Sequence, residues 1–248
     1  MISVKADGLA IGGQGTALGP VARESLQERV YSKLRRSLIH GIFDAGQVLR
    51  IQDLADTLQT STMPVREALA RLVSEQALEP LPSRSVRVPL ITVDRLNDLA
   101  HARTLIEGEL VRLATDRLRA TGFAQLRALT EECETAFGIR GPHKREATSE
   151  LNHAFHFAIY TAAGSPVLRP IVESLWLQSG PYVRAAAGLY EESSAHSAVR
   201  HHWTLIEAME RGDKDKAVAA LTEDITQSFN LIRNQLKAVA EGEPPADD

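Results

Sequence analysis

Asn152 and His156 lie four residues apart in a stretch with helical spacing, so their side chains share one face of a helix. Leu151, Phe155 and Ile159 are the apolar residues around them. His202 sits among Leu205, Ile206 and Met209, and Asp224 among Leu221, Ile225 and Phe229. In each segment one polar side chain occupies a face that is otherwise apolar, and a buried imidazole or carboxylate needs a partner. Nitrogen and oxygen ligands from three helices, meeting at one interior point, can hold a divalent metal. A hydrogen-bonded polar group inside a core gives the same pattern, and spacing does not choose between the two. Glu150-x-x-His153 has the form of half a di-iron carboxylate motif, but the chain holds no second copy. His153, His196 and His201 are expected to be more exposed. Arg103 sits on a face that looks toward the same interior. Its guanidinium can grip a ligand carboxylate with two bonds, or pair internally with Glu107. Trp176 and Tyr182 are expected as core or pocket wall.

A second kind of chemistry is written in Thr60-Ser61-Thr62-Met63-Pro64-Val65-Arg66-Glu67-Ala68-Leu69-Ala70-Arg71-Leu72. A short helical pattern, Ile51 to Leu58, ends just before it. Ser61 or Thr62 can cap a second helix, and Pro64 suits its first turn. Leu58, Val65, Leu69 and Leu72 can face one core while Arg66 and Arg71 project outward. Two short helices joined by a tight turn, with arginines near the start of the second, are built to enter a DNA major groove. Arg66 is expected at bases or phosphate and Arg71 at phosphate, unless Arg71 pairs with Glu67 or Glu75. Ser61 and Thr62 can meet phosphate from the helix N-terminus as well as cap it. Arg36 and Arg50 are further candidates for backbone contacts.

The elements that must position these residues fall into two blocks. Leu26, Val30, Leu34 and Leu38 mark a first helix from about Ser25 to Ile39, ended by Gly41. Val48-Leu49 reads as a short strand. Leu78 to Pro89 reads as two strands around a polar turn, a wing whose Arg84 and Arg87 can reach phosphates or the minor groove. Residues 25–90 thus form a winged helix-turn-helix domain. After Pro89 strand alternation disappears. Thr92 caps a helix to about Arg119, with Leu96, Leu99, Ala100, Leu105, Ile106, Leu110 and Leu113 inward. Thr121 caps a second, to Phe137, which Gly138, Gly141 and Pro142 break. A third runs from Arg145 to Ala163. Gly164-Ser165-Pro166 precedes a fourth, Val167 to Leu189, which Gly180-Pro181 should kink or split. Ser193 starts a fifth, to Glu210, and Gly212-Asp213 starts a sixth, to Val239. Residues 91–240 read as an all-α antiparallel helical bundle. The fold class is mainly α, a winged helix-turn-helix followed by that bundle, between a Gly-rich tail (1–24) expected to be disordered and an acidic tail (241–248).

Composition bounds the function. The 248 residues carry a net charge of −4, unusual for a protein that merely coats nucleic acid. Residues 23–90 have a balance of +2 and residues 91–248 one of −6, a basic module on an acidic one. No apolar run is long enough to cross a membrane, and the first residues lack the pattern of a signal peptide. The lone Cys133 cannot form an internal disulfide, which fits a cytoplasmic protein, and no base stands near it to make it a nucleophile.

Over roughly residues 25–235 the chain resembles the GntR family of bacterial transcription regulators, in its FadR-like branch with an FCD ligand-binding domain. Pro64-Val65-Arg66-Glu67-Ala68-Leu69-x-Arg71-Leu72 matches that family's recognition helix. Arg103-x-x-x-Glu107, Asn152-x-x-Phe155-His156, Ala162-Ala163-Gly164-Ser165-Pro166, His202-x-x-Leu205-Ile206-x-Ala208 and Gly212-Asp213-x-x-x-Ala217 follow in the order of its sensor domain. The resemblance implies a homodimer on a palindromic DNA operator and a helical domain that binds a small organic acid beside a metal held by one Asp and three His. Here Asn152 stands at the usual Asp and Asp224 at the usual last His, while His156 and His202 are kept. Zn²⁺ or Ni²⁺ on Asn152, His156, His202 and Asp224 is therefore the expected metal site, with Arg103 beside it for the effector; an empty, hydrogen-bonded effector pocket is the alternative. Ser61-Thr62-Met63 replaces the usual Ser-Arg-Thr, Ser85 replaces a wing glycine, and Ala45-Gly46 replaces Pro-Gly, so the operator should differ from the common consensus. The expected function is a ligand-responsive repressor of a catabolic or transport operon. The rival is a metal-dependent enzyme built on the helical domain, which leaves the winged helix unexplained.

Overall fold

The computed structural model of the chain describes residues 25–82, 85–138, 144–189 and 195–240. Both expected tails, Arg84 of the wing, Gly141-Pro142 and Ser193 lie outside the described residues, as do the side chains of Arg145 and His196.

Ser25 opens α1 (Leu26–Ile39) by accepting a hydrogen bond from the Glu28 amide. Gly41, at φ +63°, makes the left-handed turn that ends it. β1 (Val48–Leu49), α2 (Ile51–Thr57) and α3 (Thr62–Ser74) follow, then β2 (Glu79–Pro80) and β3 (Val86–Arg87). The three strands form an antiparallel sheet in the order β1-β3-β2, with Val48 opposite Arg87 and Pro80 opposite Val86. The core beneath it holds Leu34 and Leu38 from α1, Val65, Leu69 and Leu72 from α3, and Val88. Leu58 packs against that cluster. This is a winged helix, and its apolar face is the one the sequence implied.

The bundle consists of α4 (Val93–Arg117), α5 (Ala120–Phe137), α6 (Lys144–Ala162), α7 (Leu168–Leu189), α8 (Ala195–Glu210) and α9 (Lys214–Ala240). Thr92 caps α4 by accepting from the Arg95 amide, and Asp213 caps α9 by accepting from that of Lys216. Helix α4 lies along α9, α5 packs on α6 and α8, and α8 on α9. No helix among the described residues is long and apolar enough to cross a membrane.

Three details differ from the sequence reading. Thr121 falls inside the first turn of α5, whose cap position is Arg119. Helix α7 continues unbroken through Pro181 instead of splitting. Leu105 is 60% exposed, not inward. At about 100° per residue, Leu105 stands some 200° around α4 from Arg103, so both cannot face the core. The buried stripe is Leu96, Leu99, Arg103, Glu107, Leu110 and Ala114, with two polar side chains in core positions.

The two domains share a joint along α7. Leu177 of α7 belongs to the core of the winged helix. One turn on, α1 approaches α7 so closely that a Cβ on Gly180 would lie 1.9 Å from the Leu38 carbonyl oxygen. Arg95 of α4 donates to the Gln76 carbonyl of the head at 3.1 Å. Arg35 pairs with Glu173 and Arg36 with Glu150, each at 3.6 Å, across the same seam. Gly180→Ala must therefore move α1 off α7. Overpacking of this kind costs about 1–3 kcal/mol. The variant is expected to melt at lower temperature and to be cleaved faster by protease between the domains, around residues 89–92. An unchanged melting curve would show that the seam yields freely.

Candidate effector and metal site, and the DNA-facing helix

His156 on α6, His202 on α8 and Asp224 on α9 offer ligand atoms that all lie within 4.8 Å of one another. Nε2 of His156 is 3.2 Å from Asp224 Oδ2, and Nε2 of His202 is 3.7 Å from Oδ1. Both rings are fully buried. Each helix brings its residue inward because the adjacent or one-turn-distant neighbours are core: Phe155 and Ile159, Leu205 and Ile206, Leu221 and Ile225. Phe155 stacks flat on His202, with ring centroids 3.8 Å apart.

The electrostatics suit a cation. Burial pushes His202 down to about 3, so at neutral pH it is a neutral imidazole with a free lone pair. Asp224 is the one carboxylate of the cluster and lies between the two rings. His156 Nε2 and both ring nitrogens of His202 are buried with no hydrogen-bond partner among the described residues. The 3.2 Å approach of His156 Nε2 to Asp224 is thus off the hydrogen-bonding direction. Orphaned buried nitrogens around one carboxylate fit Zn²⁺ or Ni²⁺ as donors and leave coordination positions for an exogenous ligand. Asn152, half-buried, lies one turn before His156 on α6.

Arg103 is placed differently from expectation. It is 3% exposed and already engaged: Nε donates to Glu107 Oε1 at 2.6 Å and Nη2 to Oε2 at 3.3 Å. Its guanidinium lies 4.3 Å from the Trp176 ring centroid. Burial disfavours its charge, but Glu107 more than offsets that and raises its pKa. In this conformation Arg103 is not free to grip an effector carboxylate. Glu107 also accepts from Trp176 Nε1 at 3.1 Å and from the Tyr160 hydroxyl, which in turn contacts His156 Nδ1 at 3.3 Å. The sequence reading missed Tyr160 and saw Glu107 only as the alternative partner of Arg103. The signal for Tyr160 was present, since it lies four residues after His156 and so one turn away on the same face.

His153 was expected to be exposed. It stacks on Phe157 at 4.0 Å and meets His40 of α1 edge-on at 5.1 Å, and burial lowers it to about 3. It lines a cleft of about 1070 Å³ at the domain seam, whose walls do not include His156, His202 or Asp224. His201 is half-buried and bonded to Gln227 at 2.6 Å.

On the head, Arg66 is exposed on α3, and no ion pair engages it among the described residues. Ser61 holds the N-cap position of α3 with no side-chain capping bond, so its hydroxyl stays available. Thr62 is half-buried beside it. Arg71, expected at phosphate, is instead held by Glu28 at 3.1 Å and Glu75 at 3.2 Å, above the Tyr31 ring at 3.5 Å. Tyr31 donates to Glu75 at 2.8 Å, and burial with that contact pushes it up to about 12. Arg71 therefore braces α3 against α1. Arg50 sits 3.8 Å from Asp53, a loose exposed pair, and Arg87 is 2.6 Å from Glu79 within the wing. Arg36 spans the domain seam to Glu150.

Comparison with known proteins gives a consistent result. Residues 98–227 match the FCD domain model, and residues 26–88 match that of the bacterial regulatory proteins of the gntR family. The chain is 28% identical over 217 residues to the HTH-type transcriptional regulator McbR of Escherichia coli strain K12, covering 88% of this chain and 97% of that protein. It is 22% identical over 224 residues to the HTH-type transcriptional repressor RspR of the same strain, covering 89% and 95% of the two chains. The solved structure of E. coli McbR/YncC superposes with a TM-score of 0.77 over 86% of this chain and 100% of that one, at 28% identity.

The donor set yields a measurable expectation. Protein purified without a histidine tag should melt at higher temperature when Zn²⁺ is added. A free concentration a hundredfold above Kd would stabilise it by about 2.7 kcal/mol. His202→Ala should remove most of that increase. If Zn²⁺ and Ni²⁺ both leave the wild-type melting temperature unchanged, the three residues form a polar core instead.

Proposed function

The chain belongs to the GntR family of bacterial regulatory proteins and carries an FCD domain, so it is a transcriptional regulator and not an enzyme, and on that premise we propose the rest of its function. It acts in the cytoplasm as a homodimeric repressor of a catabolic or transport operon, and it responds to a small organic acid. A divalent cation, Zn²⁺ or Ni²⁺, is held by His156, His202 and Asp224, with the Asn152 amide oxygen as a weaker fourth donor. The cation supplies open positions that an effector carboxylate can fill. The observation that carries this reading is the group of buried, unpartnered nitrogens around Asp224 in the domain docked to the DNA head.

Effector binding must change the head to change DNA affinity. Trp176 of α7 faces the site, and its neighbour Leu177 is part of the head's core. A shift of α7 would therefore carry α1 with it and alter the spacing of two recognition helices across the dimer. Heads no longer one DNA turn apart cannot fill successive major grooves together.

On DNA, Arg66 reads bases from the first turns of α3, with Ser61 and Thr62 at phosphate by the helix N-terminus. Arg50, Arg84 and Arg87 are proposed backbone contacts. Arg36 ties the head to the bundle and Arg71 braces α3 against α1, so both are engaged within the chain before they meet DNA. The deciding experiment is a gel-shift with the chain's own upstream region, with and without candidate carboxylic acids. Retention of the complex with every acid would sink the repressor-release reading. Relatives include both a repressor and the Glc operon transcriptional activator of E. coli strain K12, and tightening by an acid would mean that the effector promotes DNA binding instead of releasing it.

Arg66→Ala is expected to weaken operator binding by about 1–3 kcal/mol while leaving the melting temperature unchanged, as for a groove contact. Unchanged affinity at moderate salt would take Arg66 off the contact list. Light scattering at micromolar concentration should give twice the chain mass, because one head offers only half an operator's contacts. A monomeric mass both free and on DNA would contradict the dimer.

A further inference from the structure

We propose that Tyr160 is a positioning residue for this site: it fixes His156 as the Nδ1–H tautomer and so leaves a bare Nε2 beside Asp224. Glu107 has no exposed surface and accepts from Arg103 on both oxygens, from Trp176 Nε1 and from Tyr160. A carboxylate in such a ring of donors has no proton to give, so the single hydroxyl proton of Tyr160 points at Glu107. The Tyr160 oxygen can then only accept from His156, 3.3 Å away at Nδ1. The Nδ1 atom must carry the hydrogen. A neutral imidazole has one N–H, so Nε2 is left as an acceptor.

That acceptor is buried, lacks a hydrogen-bond partner, and stands 3.2 Å from Asp224 Oδ2. A bare nitrogen and a carboxylate oxygen that share no hydrogen at that distance can both serve as donors to one cation. The chain Arg103–Glu107–Tyr160 thus prepares His156 for a metal from the far side of its ring. It also gives Arg103 and Glu107 a role that does not require either to touch the effector. Groups placed behind a metal-binding histidine in this way are typically worth about 10–100-fold in metal affinity.

The tautomer part stands on geometry alone, and the metal part rests on the reading given under Proposed function. The experiment keeps them apart. Nitrogen-15 NMR of the metal-free full chain at neutral pH, with His156→Gln to identify the signals, should show His156 protonated at Nδ1 and bare at Nε2. Tyr160→Phe, which keeps the ring and loses the hydroxyl, should shift His156 toward the Nε2–H form. Competition with a chromophoric chelator should then show Zn²⁺ bound about tenfold or more weaker than in wild type. A purely structural tyrosine would lower the melting temperature with tautomer and Zn²⁺ affinity intact, and that result overturns the proposal. A wild-type His156 carrying its proton at Nε2, or protons on both nitrogens, overturns it as well. If wild type shows the Nδ1–H form, the variant loses it, and neither binds Zn²⁺, the positioning role is sustained and the metal reading falls.

Discussion

Glu107 sits at the centre of the bundle with no solvent contact, and much of the interior is arranged to satisfy it. Arg103 reaches it along the same helix, Trp176 from α7 and Tyr160 from α6. One carboxylate thereby ties three helices together by hydrogen bonds that apolar packing alone would not direct. Removing one member of a buried ion pair costs about 3–5 kcal/mol, because the other is stranded in a medium that cannot solvate it. The Arg103–Glu107 pair is thus a constraint more than a source of stability: Leu96, Leu110 and Ala114 supply the apolar burial of α4, and the pair fixes which face turns inward.

Helix α7 translates that constraint toward DNA. Trp176 bonds Glu107 and lies 5.3 Å from the His156 ring centroid; Leu177 is in the core of the head; Gly180 receives the carbonyl end of α1. These residues lie within about one turn of one another, so a rotation of α7 that moves Trp176 moves the seat of α1 as well. Two bodies joined by side-chain ion pairs such as Arg36–Glu150 alone would slide independently, since exposed pairs contribute at most about 1 kcal/mol. The close backbone approach at Gly180 couples them more stiffly.

Much of this was legible in the sequence, for identifiable reasons. The winged helix was readable because Ser25, Gly41, Pro64 and the Leu78–Pro89 turn pattern are local signals, and local signals set local structure. The meeting of His156, His202 and Asp224 was readable because each interrupts an apolar face, and apolar faces must meet. Leu105 was misplaced because it and Arg103 were both set facing inward, although helical geometry allows only one of the two inside. The pairings of Arg103 with Glu107 and of Arg71 with Glu75 were readable as one-turn alternatives to ligand contacts, but the bond from Arg71 to Glu28 was not, because Glu28 is 43 residues away and only packing of α1 on α3 brings it near. Tyr160 was overlooked because an aromatic residue in a helical stripe looks like any other core residue until its hydroxyl is given a partner.

The donor set here also differs from the one that the GntR resemblance implies, and the difference follows a rule of charge. Asn152 gives up a carboxylate where the family has Asp, and Asp224 supplies one where the family has His. The site therefore keeps a single negative charge while exchanging an imidazole for an amide oxygen. At the proposed site, neutralisation of a divalent cation would be unaffected, whereas the number of nitrogen donors falls, and imidazole is the donor that favours Zn²⁺ and Ni²⁺ over harder ions. Under the proposed function, metal discrimination and affinity would then come from how well the remaining two imidazoles are held. His202 is clamped by the face of Phe155. His156 meets Phe155 and His202 edge-on at 5.2 Å and Trp176 tilted at 5.3 Å, none as close as the Phe155–His202 stack, so on the proposal above its orientation rests on the Tyr160 hydroxyl and, through it, on Glu107. A site with fewer ligands depends more on the groups behind them, and in this chain those groups are the ones that also fix the packing of α4, α6 and α7.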